Sequence, residues 1–92
     1  MEKPKRDSQE IGIAITGLDI KVEEMHRQFI RYKGEDLKVM PDWRRLEREL
    51  IEFSRKKIIS PALTAQLDRV LHKFQNRKKI WLAWAEEIQR SY

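Results

Sequence analysis

Ninety-two residues support one modest hydrophobic core, which excludes a large enclosed active-site cleft. With 38% charged and 40% apolar residues and only three Gly and three Pro, collagen-like and low-complexity chains are excluded, and helices with long solvated faces are favoured. The formal net charge of +5 leaves anionic partners open, while the lack of cysteine removes disulfide frameworks, thiolate zinc sites and cysteine nucleophiles and fits a reducing, cytoplasmic setting.

Met1 to Glu10 is polar and mixed in charge and reads as a flexible tail, residues 1–10, ahead of a single helical domain over 11–92. No 18-residue apolar run follows, so neither a signal peptide nor a membrane span is expected. Ile11, Ile15, Leu18, Val22, Met25, Phe29 and Tyr32 then recur at spacings of three and four, which aligns them on one stripe of a helix expected over about 16–33. Gly12 and Gly17 each cost about 1 kcal/mol inside a helix, so its start is open. The alternation Ile11, Ile13, Ile15 also suits a short strand, for which the only pairing partner is a second copy of itself.

Gly34 supplies a C-cap for this helix. Pro41, which has no amide proton to lose in a first turn, marks the start of a second helix over about 41–56. Its stripe is Trp43, Leu46, Leu50 and Phe53, and it ends in Arg55, Lys56 and Lys57, where cations favour a helix C-terminus. Ser60-Pro61 forms an N-cap and first-turn pair for a third helix over about 60–91. Leu63, Leu67, Val70, Phe74, Arg77, Trp81, Trp84 and Ile88 form its seam, widened by Leu71, Ala85 and Tyr92. At about 45 Å this helix is twice as long as the second and should pack on both others. The pattern predicts an all-α fold: a three-helix bundle, or an elongated helical hairpin plus an N-terminal helix, with a long C-terminal helix.

Ile80 to Ala85 is apolar on every side of a helix, which requires burial all round. The end bearing Trp81, Trp84, Ile88, Tyr92 and Leu82 is therefore either roofed by the connector residues Leu37, Val39 and Met40 or docked on a partner protein or a second copy, since aromatic residues are typical interface anchors. Charge is the second uneven feature. Arg55, Lys56, Lys57, Arg69, Lys73, Arg77, Lys78 and Lys79 stand against Asp68 alone, a surplus of +7. Arg69, His72, Lys73, Asn76 and Lys79 fall opposite the seam as a basic stripe, which suits nucleic-acid phosphates, an acidic protein surface or plain solvation. A helix-turn-helix fits poorly, because Pro61 to Gln66 offers small or apolar residues where base-reading side chains belong.

No catalytic, metal or cofactor motif is found, and no small-molecule substrate is implied. Glu23 and His26 have the Glu-x-x-His spacing of di-iron bundles, but that centre needs two such pairs and two further glutamates; Asp68 and His72, four apart, suit a surface contact. Arg77, a guanidinium on an apolar seam, must snorkel, face a partner or pair with a carboxylate, for which Glu24 and Asp36 are the candidates.

The segment ending in Tyr32-x-Gly34, Pro41 with Arg45 and Leu46 beyond it, and the late spacing of Phe74, Trp81 and Ile88 give Leu18 to Tyr92 a resemblance to a small helical domain family of myxobacteria and other deltaproteobacteria. Members often end larger, regulatory-looking chains, so the resemblance implies a protein-interaction role, although this chain reads as standing alone. It carries over no catalytic residue. Protein contact or self-assembly through the tryptophan end is thus the expected function, with nucleic-acid binding through residues 55–79 as the alternative.

Overall fold

The computed structural model describes residues 3–90 and contains three helices and no strand among them: α1 (Lys3–Lys33), α2 (Trp43–Ser54) and α3 (Pro61–Arg90). Ile11 to Ile15 is helical, and α1 begins well before residue 16; residues 3–10, expected as a tail, form its first turns. Pro4 sits in the first turn, where its missing N–H costs nothing, and the Lys-, Arg-, Gln- and Ile-rich run behind it has good helix propensity. The two early glycines do not stop the helix. A Cβ at Gly12 would make only ordinary contact with Leu63, and Gly17 faces open space.

The long helices run parallel but staggered, α1 starting before α3 and α3 running on past the end of α1. Gln66 meets Thr16 at 3.4 Å, Arg77 meets Glu23 at 3.0 Å, Trp81 meets His26 at 3.0 Å, and Lys33 lies over the Trp84 ring at 4.7 Å. The length of α3 that α2 cannot reach is therefore covered by α1 as far as Trp84. The shorter α2 runs back between their ends on one flank, held by Lys21–Glu49 at 2.8 Å and Lys78–Glu47 at 2.6 Å. The result is a rod of 60 × 18 × 16 Å.

The core is the stripe read from the sequence. Ile15, Leu18, Val22, Phe29 and Tyr32 of α1 meet Leu67, Val70, Phe74, Trp81 and Ala85 of α3, and Trp43, Leu46 and Leu50 of α2 close one side. Both boundaries of α2 and the cap of α1 also differ from expectation. Helix α2 starts at Trp43 rather than Pro41 because Asp42 is its cap, accepting a hydrogen bond from the Arg45 N–H at 3.3 Å, and it ends at Ser54. The left-handed residue after α1 is Glu35 (φ 68°), not Gly34. The Asp36 N–H bonds the Arg31 carbonyl at 2.9 Å and the Glu35 N–H bonds that of Tyr32 at 3.2 Å, a Schellman closure one residue later than the glycine. Helix α3 starts as predicted, with Ser60 Oγ accepting from the Leu63 N–H at 3.3 Å.

Candidate interaction surface

Trp81, expected at the docking end, is not on the surface. It is fully buried in its own chain, stacked on Phe29 (5.0 Å between ring centres, 3° between planes) with Phe74 edge-on at 5.8 Å. Its Nε1–H donates to His26 Nδ1, so the neutral imidazole carries its proton on Nε2. Of the apolar run Ile80 to Ala85, expected to be buried all round, only Trp81 and Ala85 are buried, Trp84 is half-buried and Ile80, Leu82 and Ala83 are exposed, because α1 covers one side of the helix alone; Leu37 and Met40 pack on the core while Val39 stays exposed. Of the remaining residues expected at this end, Trp84 is half-buried, its ring stacked on His26 at 5.8 Å, and Ile88 packs on the core near Tyr32 and Leu37. Leu82 is exposed on α3, and Tyr92 lies outside the described residues.

The basic stripe is also divided by the fold. Lys73 lies 2.8 Å from Asp19 and 3.3 Å from Glu23, Arg77 Nη1 lies 3.0 Å from Glu23, and Lys78 is held by Glu47 and sits over the Trp43 ring at 4.8 Å. These three cations are structural, and Arg77 pairs with neither Glu24 nor Asp36. Glu24 instead engages Arg27 at 2.6 Å. The Arg77 to Glu23 contact is an ion pair, and the buried Nη1 makes no hydrogen bond among the described residues. Arg55, Lys56, Lys57, Arg69 and Lys79 remain on the surface, with Lys56 lying 5.0 Å over the Phe53 ring.

Asp19, Lys73, Glu23 and Arg77 thus form an ionic ladder along the edge of the α1·α3 seam opposite α2. Burial pushes the Glu23 carboxyl up, but the Lys73 hydrogen bond and the Arg77 and Lys73 charges outweigh it and hold the group below its usual range. Asp19 raises the Lys73 ammonium against burial, and Glu23 adds to the effect. At the end of the ladder, burial and the Arg77 charge hold the His26 imidazole below its ordinary value, only partly offset by Glu23. His26 and Glu23 serve the seam in this way, and among the described residues no three His, Cys, Asp or Glu side chains gather as a metal-ion site.

Beyond His26 the same flank turns apolar. Ile30 stands one turn past His26 on α1 and Ile80 one turn before Trp84 on α3, and they are 51% and 42% exposed. The flank is open along its length: Thr16 and Asp19 of α1 and Gln66, Arg69 and Lys73 of α3 line a groove with no third helix over it. A further apolar pair, Ile13 and Ile20, faces solvent on the outer side of α1.

No family model, curated protein or solved structure matches the chain. No helix among the described residues is long and apolar enough to cross a membrane.

Asp19 and Ile30 are surface residues that sequence reading passed over, while Glu23 was read only for its spacing to His26 and Ile80 only as part of an apolar run. Their signal was present. Gly12, Thr16, Asp19, Glu23, His26, Ile30 and Lys33 repeat at spacings of three and four just as the core stripe does, but most are polar, and a polar stripe reads as solvated until a partner helix is placed beside it.

Proposed function

We propose that this chain is a non-enzymatic helical module that works by protein contact, through the open flank of the α1·α3 pair. One observation carries this reading: Ile30, Ile80 and the half-buried Trp84 sit together on the side of the seam that α2 leaves uncovered. Partly exposed aliphatic residues around an aromatic ring are the composition of an interface centre, and the charged residues before them on the flank supply a polar rim. The anchor is Trp84 with its two isoleucine neighbours, in place of Trp81. The cysteine-free composition favours the cytoplasm as its setting.

Phosphate binding by the basic stripe is the weaker reading, because Lys73, Arg77 and Lys78 are spent on carboxylates of neighbouring helices. Recovery of bound molecules from the native cell by the wild-type chain and by Ile80→Glu, with and without nuclease, separates the two. Protein partners that survive nuclease and are lost with Ile80→Glu support the contact reading. Partners that all depend on nucleic acid and persist in Ile80→Glu overturn it.

A further inference from the structure

The open flank is charged in two halves. On α1 it carries Asp19 and Glu23, and on α3 it carries Arg69, Lys73 and Arg77 at the same levels along the rod. Levels are fixed by the cross-helix contacts. Gln66 reaches Thr16 and Lys73 reaches Asp19, so Arg69 lies between them. Arg69 differs from its two basic neighbours in making no ion pair among the described residues, and it is exposed.

A second copy can cover this flank face to face in only two symmetric ways. A twofold axis across the helices at the ladder sets α1 against α1 and α3 against α3 in opposite directions, which opposes acid to acid, base to base and the apolar end to the polar one; moved to the apolar end, the same axis leaves the ladder uncovered. A twofold axis along the rod sets each α1 against the α3 of the other copy in the same direction. Acidic side then meets basic side twice, Arg69 comes opposite Asp19 of the second copy, and Ile30 comes opposite Ile80 and Trp84. Like charges face to face are costly and unlike charges fix register, so the charge pattern selects the second arrangement.

We therefore propose, resting on the contact reading above, that the partner at the open flank is a second copy of this chain, related by a twofold axis parallel to α1 and α3. The dimer is a parallel four-helix core of two α1·α3 pairs with an α2 on each outer side. Closed isologous dimers of this sort are the commonest assembly of soluble chains.

Sedimentation velocity of the full chain over a wide concentration range tests this, with circular dichroism confirming that each variant is folded. The wild-type chain should reach twice its mass. Arg69→Glu and Asp19→Lys should each weaken association about tenfold or more, because each opposes like charges at both symmetric contacts. An equimolar mixture of the two variants should recover it, since the mixed pair restores unlike charges at both positions. A chain that stays monomeric throughout overturns the proposal, as does a mixture no stronger than its components. If the mixture fails while Ile80→Glu still abolishes the dimer, the twofold geometry falls and the contact role of the flank stands.

Discussion

Trp81 and Trp84 lie three residues apart and have opposite duties. Trp81 fills the space between Phe29 and Phe74 and gives its N–H to His26, so Trp81→Ala should cost about 3–5 kcal/mol of stability, as for other large aromatic deletions in cores. Trp84→Ala should cost clearly less in a urea titration, because its ring is half in solvent, and should act on association instead. His26 makes the pair sensitive to pH. Its imidazole is held below the ordinary histidine value of 6.5, so the unfolded chain binds the proton more readily than the folded one, and stability is fully present above that value and lost as pH falls through the lower folded-state value. The urea midpoint should therefore drop between about pH 7 and pH 5. In His26→Gln, which keeps an acceptor for Trp81 but does not titrate, the drop should be smaller; an unchanged drop would assign the effect to other groups.

At the scale of elements, the caps show what a sequence reveals and what it hides. Ser60-Pro61 was legible because both residue types have one strong preference at a helix start, and the structure places them there. Pro41 misled by two residues, since Asp42 has a side-chain acceptor and proline has none; Asp42→Ala should cost about 1 kcal/mol. Gly34 misled by one. Helix α1 ends at Lys33 as expected, but the left-handed backbone falls on Glu35, a conformation that costs an L-residue roughly 1–2 kcal/mol. Glu35→Gly should thus raise the thermal midpoint, and Gly34→Ala should not lower it, because a Cβ at Gly34 meets only carbonyl oxygens at 3.4 Å or beyond. The reverse pair of results would show that the glycine, not the glutamate, is the true C′ residue. The start of α1 was hidden for a different reason: Gly12 and Gly17 look like breakers by propensity, and only the presence of α3 beside them compensates through burial of Ile11, Ile15 and Leu18.

For the whole molecule, the three-helix architecture and nearly all of the core could be read from periodicity, because burying an apolar stripe is the main demand on a chain of this size. The interaction surface could not be read so far. The sequence shows Trp81 and Trp84 as equally oily, and their division between core and surface depends on how α1 lies against α3, which sets Trp81 between Phe29 and Phe74 and Trp84 at the edge against His26. Likewise the surplus of cations in residues 55–79 is visible at once, but Asp19, Glu23 and Glu47, lying well before it in the chain, neutralise three of them only in the fold. A polar ladder then occupies the flank that a fourth helix would need, and its two halves carry opposite charge, which directs any second rod that settles there.

Amide hydrogen exchange on the intact chain, compared at low and high concentration, tests most directly whether the open flank is the working surface. Protection should rise with concentration over residues 23–33 of α1 and 77–87 of α3, while the amides of α2 keep their rates. Protection gained on α2 instead, or nowhere, would contradict the account.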